Sequence, residues 1–179
     1  MPNILIVEDK DSMRKMLTET LTGEGHRVDS APNGKSAMEL VHNKSYDLVL
    51  TDLKMPDMDG LQVLSNVKDV DNETAVILMT AYGTIEDAVQ AMKKGAFDFI
   101  TKPFDTEHLS VLIGRALENR RLVAENTMLR EELMSEHGIS NIIGKNDKML
   151  EVCGLVQKVS KSDAAVLLQG ESGTGKELF

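Results

Sequence analysis

Short apolar runs alternate with longer amphipathic stretches from the first residue to about residue 117. The runs are rich in β-branched residues, as buried strands are, and the stretches between them carry apolar residues at helical spacing. Five runs are present, each followed by one such stretch, and this repetition predicts an α/β domain with a parallel sheet. The predicted strands cover residues 4–7, 27–31, 47–51, 76–80 and 97–100. The first, third and fourth are the most continuously apolar, so we expect them at the centre of the sheet.

Each of the first four amphipathic stretches is predicted to be a crossover helix whose apolar residues face the core. Thr84 precedes the fourth helix as a plausible N-cap. The positions at helical spacing are Met13, Met16, Leu17, Thr20, Leu21, Ala37, Leu40, Val41, Leu61, Leu64, Val67, Ile85, Ala88, Val89 and Met92.

The fifth helix is predicted to begin near Thr106 and to continue as a polar helix to about Ser135. Its predicted core residues are Leu109, Leu112, Ile113, Ala116 and Leu117. A short heptad seam follows, with one Asn of the kind that fixes register in paired helices; its positions are Leu122, Asn126, Leu129 and Leu133. Pairing with a second copy and a solvated linker helix are both open interpretations. We therefore predict a domain over residues 1–119, a linker over 120–139 and a third segment over 140–179.

The charge of the chain argues against nucleic-acid binding. Lys and Arg total 20 against 29 Asp and Glu, which gives a formal net charge of −9. No stretch gathers the basic cluster that phosphate backbones attract, so nucleic-acid binding by these residues is not expected. The start of the chain has no basic region and no apolar run long enough for a signal peptide or a membrane span. We therefore expect a cytoplasmic protein without membrane contact.

Chemically active side chains lie at the ends of the predicted strands or just after them: Glu8 and Asp9, Asp52, Thr80 and Lys102. Because the carboxyl ends of parallel strands meet at one edge of the sheet, we expect these side chains to lie together. Taken singly, each has an ordinary explanation as a helix cap or a solvated group. Three crowded carboxylates favour a hard cation such as Mg²⁺. A carboxylate beside such a cation can accept a phosphoryl group, and Asp52 is the most central candidate.

Four motifs along this edge, ILIVED, TDLKMPDMDG, MTAYG and FITKPF, resemble the receiver domain of two-component response regulators. The resemblance covers residues 1 to about 119. It implies a flavodoxin-like, doubly wound sheet of five parallel strands in the order 2-1-3-4-5. It also implies that Asp52 is the phosphoacceptor and that Glu8, Asp9 and Asp52 bind Mg²⁺ together with the backbone carbonyl of Lys54.

The same resemblance implies a switch. Thr80 and Lys102 match the pair that contacts the phosphoryl group, and Thr80 and Phe99 match the residues that move in response. Pro103 matches a residue that follows a cis peptide bond. The implied partners are a sensor histidine kinase and a second copy of the chain, which would pair through the fourth helix, fifth strand, fifth helix and linker helix.

A second motif, GESGTGKE, fits the phosphate-loop pattern G-x-x-x-x-G-K, although a plain glycine-rich turn is an alternative. Its residues are Gly170, Glu171, Ser172, Gly173, Thr174, Gly175, Lys176 and Glu177. A buried strand is predicted just before it, over residues 165–169. Residues 142–179 resemble the opening of the AAA+ ATPase domain of sigma-54-dependent, NtrC-like transcription activators. The resemblance implies that ATP, sigma-54 RNA polymerase and DNA are bound in a longer protein that is cut off here after the Walker A loop.

By that resemblance we expect no ATP hydrolysis from this chain and poor packing of residues 140–179. The favoured function is a phosphorylation-controlled regulatory module. Two alternatives stay open: an ATP-binding AAA+ fragment, and a structural dimerisation module that never takes phosphate.

Overall fold

The computed structural model describes residues 1–81, 84–137, 147–159, 166–171 and 176. The chain divides into two compact units, Met1–Ala124 and Glu125–Phe179. The strands and helices, in chain order, are β1 (Asn3–Val7), α1 (Asp11–Gly23), β2 (Arg27–Ala31), α2 (Gly34–Asn43), β3 (Leu48–Asp52), α3 (Gly60–Val70), β4 (Ala75–Thr80), α4 (Ile85–Lys93), β5 (Asp98–Thr101), α5 (Thr106–His137) and α6 (Asp147–Val159).

The strands described in the first unit form one parallel sheet in the order β2-β1-β3-β4-β5. The predicted fold class and strand order are therefore confirmed. Each predicted strand boundary lies within one residue of the observed one. β1, β3 and β4 occupy the centre, as predicted, and both β3 and β4 are buried along their whole length.

Two hydrophobic layers cover the two faces of this sheet. Alternate residues of β1 point to opposite faces, as the pleat requires, so Leu5 belongs to one layer and Ile6 to the other. α2, α3 and α4 contribute to the layer of Leu5, whereas α1 and α5 contribute to the layer of Ile6. The predicted core residues of α5 lie in this second layer, and Leu117 is partly buried there.

α4 departs from its predicted packing. Thr84 caps it, as predicted, by accepting a hydrogen bond from the Asp87 N–H at 3.1 Å. Its larger apolar residues are nevertheless exposed: Ile85 by 81%, Val89 by 46% and Met92 by 50%. The prediction that these three face the core is wrong, because α4 buries the small residue Ala91 instead. We call Ile85, Val89 and Met92 the α4 strip.

An arginine on α5 binds the opposite end of the sheet, where the strands begin. Arg120 forms an ion pair through Nη1 with Asp47, directly before β3, and through Nη2 with Asp71 Oδ2 at 3.2 Å. Asp47 Oδ2 also accepts a hydrogen bond from the Asn3 N–H at 2.7 Å. We call Arg120, Asp47 and Asp71 the base clasp. It lies one turn beyond Ala116, which is fully buried, and attaches this turn of the helix to the sheet.

In the second unit, which begins at Glu125, the structure describes the end of α5, α6, residues 166–171 and residue 176. Residues 166–171 form neither helix nor strand, and Leu167 is 82% exposed. The prediction of a buried strand over residues 165–169 is therefore wrong for the described residues. A strand requires neighbours that form a ladder of backbone hydrogen bonds, and residues 166–171 belong to no such ladder among the described residues. The predicted poor packing of residues 140–179 stays a prediction, since residues 138–146 and 160–165 lie outside the described part.

Candidate functional site

Three carboxylates come together where β1 and β3 end. Glu8 directly follows β1, Asp9 is the next residue, and Asp52 is the last residue of β3. These strands are paired, with Val7 opposite Thr51, so acids far apart in the sequence become neighbours. One carboxylate oxygen from each residue lies within 4.8 Å of those of the other two. We call Glu8, Asp9 and Asp52 the acidic cluster; its spacing allows one divalent cation to contact all three.

The acidic cluster is largely shielded from water. Glu8 is fully buried and Asp52 is 7% exposed, whereas Asp9 faces solvent. The start of α1 supports Glu8: the Lys10 N–H donates to Glu8 Oε1 at 3.2 Å, and Arg14 Nη1 donates to the Glu8 backbone carbonyl at 2.8 Å. The sequence analysis missed these two contacts. No sequence signal predicts them, because they depend on the path of the chain between β1 and α1.

Lys102 supplies a counter-charge to the acidic cluster. Its Nζ lies 2.5 Å from Glu8 Oε2 and 2.8 Å from Asp52 Oδ2, and its side chain is only 9% exposed. The Lys102 N–H donates to the carbonyl of Thr80 at 2.6 Å, which attaches the segment after β5 to the end of β4. The expected convergence of Glu8, Asp52 and Lys102 is therefore observed.

Burial and ion pairing act in opposite directions on these groups. Burial raises the pKa of the Glu8 carboxyl above its ordinary value, although the Lys102 ammonium favours the ionised form. Burial works to lower the pKa of Lys102, but its hydrogen bonds to Asp52 and Glu8 outweigh that effect and leave the pKa raised. Lys102 is consequently a cation at neutral pH. The described site thus contains two shielded carboxylates that are bridged by one ammonium group.

The loop after β3 approaches the site from another side. The Lys54 N–H donates to Asp52 Oδ1 at 3.3 Å, while the Lys54 residue as a whole is exposed. Asp57, in the same loop, has a φ of 68°. Both carboxylate oxygens of Asp52 are therefore engaged, Oδ1 by the backbone of this loop and Oδ2 by Lys102.

The remaining residues that the receiver resemblance assigned lie on β4 and β5. Thr80 ends β4 and is fully buried. Phe99 lies in β5, is partly buried and packs against the layer that contains Leu5. The peptide bond between Lys102 and Pro103 is cis, as expected. Thr80 thus lies at the end of the strand next to Asp52, since Asp52 is opposite Met79, whereas Phe99 lies one strand further out.

The phosphate-loop motif is described only in part. Gly170 and Glu171 are exposed, and Lys176 Nζ donates to the Gly170 carbonyl at 2.8 Å and to the Glu171 carbonyl. The predicted site residues Ser172, Gly173, Thr174, Gly175 and Glu177 lie outside the described residues. The Lys176 ammonium group therefore contacts the carbonyl oxygens of its own loop.

Residues 4–113 match the response regulator receiver domain. This match covers more than half of the 179 residues. The chain belongs to the response regulator receiver family. Residues 142–179 match a second family, the sigma-54 interaction domain. The receiver and the sigma-54 segment therefore occur in the order that the sequence analysis expected.

Curated relatives match the receiver and the segments after it. The regulatory protein AtoC of Escherichia coli K12 is 39% identical over 176 residues, which is 98% of this chain and 38% of AtoC. The DNA-binding transcriptional regulator NtrC of Proteus hauseri is 36% identical over 98% of this chain and 37% of NtrC. The chain thus spans less than two fifths of the length of these two relatives.

Solved structures support the receiver fold. The beryllofluoride-activated NtrC4 receiver domain dimer has a TM-score of 0.64 and 32% identity, covering 67% of this chain and 99% of that one. NtrX of Brucella abortus, solved in complex with ADP, has a TM-score of 0.68 and 29% identity, covering 89% of this chain and 34% of NtrX. Among the helices in the part of the chain that the structure describes, none combines the length and the hydropathy needed to cross a bilayer.

Proposed function

We propose that this chain is the phosphoacceptor part of a two-component response regulator, with Asp52 as the residue that a sensor histidine kinase phosphorylates. The observation that carries the proposal is the position of Asp52, whose carboxylate lies between a backbone N–H and the Lys102 ammonium and beside two further acids. Family membership alone gives the role of a receiver. The geometry of the acidic cluster supports the particular residue.

The residues present fit a magnesium ion. The acidic cluster offers three oxygen ligands from Glu8, Asp9 and Asp52, and the backbone carbonyl of Lys54 completes the proposed set. Hard cations prefer such oxygens, and Mg²⁺ usually keeps several waters beside one or two carboxylates. When bound, Mg²⁺ would supply positive charge that offsets the negative charge of phosphoryl oxygens.

In the proposed reaction, a carboxylate oxygen of Asp52 attacks the phosphorus of a phosphohistidine. An O–P bond forms and the P–N bond to the imidazole breaks, and the imidazole nitrogen keeps the electron pair and takes a proton from water. Lys102 contributes a fixed charge to the incoming phosphoryl group, and Thr80 contributes a hydroxyl donor. Shielding of the site strengthens both contributions, because charges interact more strongly where water is scarce.

Intact-mass measurement after incubation with acetyl phosphate and MgCl₂ tests this proposal. We expect the mass of one phosphoryl group to appear on the wild-type chain and to be absent from Asp52→Asn. Asp57→Asn is the matched control, since it makes the same chemical change five residues away in the loop and Asn tolerates the positive φ there. Equal phosphorylation of the wild-type chain and Asp52→Asn would refute the assignment, and no phosphorylation of either would favour the structural dimerisation module.

Phosphorylation adds about −1.5 to −2 charge at the strand ends. We propose that Thr80 moves toward this charge, that Phe99 shifts in response, and that the surface of α4, β5 and α5 changes with them. The exposed α4 strip gives this surface an apolar contact of the kind that protein interfaces use. A second copy of the chain is the proposed partner, consistent with the NtrC4 receiver dimer.

The linker part of α5 adds a second proposed contact between copies. Leu122 and Leu129 are 51% and 52% exposed, and Asn126 is exposed between them. These positions form the predicted heptad seam, whose fourth member, Leu133, has no described side chain. Exposed leucines at this spacing favour helix pairing over a solvated helix.

Sedimentation velocity tests the proposed role of the α4 strip. We expect acetyl phosphate to change the monomer–dimer distribution of the wild-type chain but not that of Val89→Asp. Val70→Asp is the control, because Val70 is similarly exposed, by 48%, at the end of α3. If Val89→Asp responded to phosphorylation as fully as Val70→Asp, the α4 strip would have no part in the interface.

The segment over residues 142–179 supports a role in transcription control. We propose that the receiver regulates a sigma-54-type ATPase and that contacts with sigma-54 RNA polymerase and DNA are made by regions outside these 179 residues. ATP binding is a second candidate activity, favoured by the family match and by the ADP complex of NtrX. Calorimetric titration with ATP and Mg²⁺, together with a phosphate-release assay, tests it; we expect little binding and no turnover.

A further inference from the structure

The backbone that follows Asp52 is in unusually close contact with the first residue of α3. The Gly60 N–H donates to the Leu53 carbonyl at 2.9 Å, which closes the loop over residues 53–60. A Cβ atom at Gly60 would lie 2.9 Å from Leu53 Cα and closer still to the Asp52 carbonyl oxygen. Side-chain carbons do not approach backbone atoms this closely, so only glycine fits this position.

The strand side of this contact cannot move away easily. The Leu53 N–H donates to the Met79 carbonyl at 2.7 Å, and Asp52 lies opposite Met79 in the sheet. β3 is buried along its whole length between β1 and β4. A side chain at Gly60 would therefore displace the start of α3 and the loop before it, because the strand is held on both sides.

The loop that would move contacts the acidic cluster through the backbone of Lys54. Its Lys54 N–H binds Asp52 Oδ1 at 3.3 Å, and the Lys54 carbonyl belongs to the proposed ligand set. The other end of the loop is fixed by a capping box, in which Asp59 Oδ1 accepts from the Gln62 N–H at 2.8 Å and Gln62 Oε1 accepts from the Asp59 N–H at 3.0 Å. Displacement of α3 is therefore transmitted to Lys54 through a short and well-anchored segment.

We infer that Gly60 is a positioning residue for the divalent-cation site: by lacking a side chain, it lets α3 close the loop over residues 53–60 and hold the Lys54 backbone beside Asp52. This inference rests on the proposed function, because it assumes that the acidic cluster binds Mg²⁺. Gly60 contributes no ligand atom itself. Its effect on the cation is indirect, in the way that residues supporting metal ligands commonly act.

Calorimetric titration of the full chain with MgCl₂ tests the inference without any phosphorylation. We expect Gly60→Ala to bind Mg²⁺ about 10 to 100 times more weakly than the wild-type chain, the usual range for loss of a supporting residue. Gly114→Ala is the control, since no atom lies within 4 Å of the Cβ that it would add to α5. That variant should bind within about twofold of the wild type.

The outcomes separate this inference from the proposed function. If the wild-type chain bound no Mg²⁺, both would be overturned. If the wild type bound Mg²⁺ and a folded Gly60→Ala variant matched it within about twofold, only the positioning role would be overturned. Hydrogen exchange on the wild-type chain covers the case in which Gly60→Ala does not fold: the Gly60 amide should be protected and become more protected with MgCl₂. Exchange at the rate of an unstructured peptide, or protection unchanged by MgCl₂, would also overturn the role of Gly60.

Discussion

Replacing Lys102 with methionine removes the ammonium group that contacts both Glu8 and Asp52 and preserves much of the side-chain volume. The two carboxylates would then face each other across a shielded site without that counter-charge. We expect this substitution to lower the free energy of unfolding at neutral pH in the presence of EDTA, and to do so far more than loss of an exposed ion pair.

The distances set the size of the effect. With an effective dielectric constant of about 20, a contact of 2.5 or 2.8 Å between unit charges has an attraction of about 6 kcal/mol. Burial of the ammonium group offsets part of this attraction. Removing one partner of a buried ion pair typically costs about 3 to 5 kcal/mol. We therefore expect a loss in that range for Lys102→Met, a large fraction of the total stability of a domain.

Urea unfolding followed by circular dichroism measures this loss, and Lys44→Met is the matched control. Lys44 Nζ lies at the same distance, 2.5 Å, from Asp29 Oδ2, but the two side chains are 41% and 36% exposed. An exposed pair of this kind contributes about 0.2 to 1 kcal/mol. The two lysines share one contact distance of 2.5 Å and differ in burial and in the number of carboxylates that they contact.

Magnesium and pH give two further readouts on Lys102→Met. Mg²⁺ can occupy the region that the ammonium leaves. We therefore expect the variant to gain more stability from MgCl₂ than the wild type. As a scale for this gain, a ligand present at 100 times its dissociation constant stabilises a protein by about 2.7 kcal/mol. Loss of Lys102 should raise the pKa of Glu8 further. Protonated Glu8 does not repel Asp52, so the stability deficit should be smaller at pH 5 than at pH 7. A deficit no larger than that of Lys44→Met, with no added gain from MgCl₂, would refute this electrostatic reasoning.

Two further predictions concern charges remote from the acidic cluster. The Lys44 ammonium holds the pKa of Asp29 below its ordinary value, so this carboxylate stabilises the fold at neutral pH and the contribution is lost in acid. Asp29→Asn should cost up to about 1 kcal/mol at pH 7. The difference should begin to shrink as the pH falls below the ordinary aspartate pKa of about 3.9, and it should be lost as the pH falls through the lowered pKa of Asp29 in the folded chain; a constant difference between pH 7 and pH 2 in urea unfolding would contradict this. Arg120→Met breaks the base clasp and should lower the free energy of unfolding by about 1 to 3 kcal/mol. Arg121→Met is the control, because the side chain of Arg121 is 64% exposed. It should lower the free energy of unfolding by less than about 0.5 kcal/mol. Equal losses of thermal stability in these two arginine variants would show that the clasp contributes little.

Local pattern was sufficient to predict the sheet, because the central strands are almost uninterrupted in their apolar character and amphipathic stretches separate the strands. β2 was predicted with its observed bounds, and the other strands within one residue. α4 shows the limit of the same reasoning. A helical period reveals that Ile85, Val89 and Met92 share a face, but it does not reveal whether anything covers that face. Only the packing of Ala91 against the sheet decides this.

The side chains that meet at the acidic site could also be predicted from the sequence, but the backbone contacts around them could not. Glu8, Asp52 and Lys102 directly follow strands or come soon after them, and parallel strand ends meet at one edge, so their convergence follows from topology. The backbone contacts of Lys10 and Gly60 do not follow from topology. They depend on the path of the chain between a strand and the next helix, which composition and spacing leave undetermined.

The base clasp also bears on how this receiver can be reused in engineered proteins. The receiver family match ends at residue 113, whereas the first compact unit extends to Ala124 and the arginine of the clasp lies between these two points. A chimera joined to a foreign output module directly after residue 113 would leave Asp47 and Asp71 without their guanidinium partner. Fusion points placed after Ala124 would retain it and deliver a better-anchored helix to the new module.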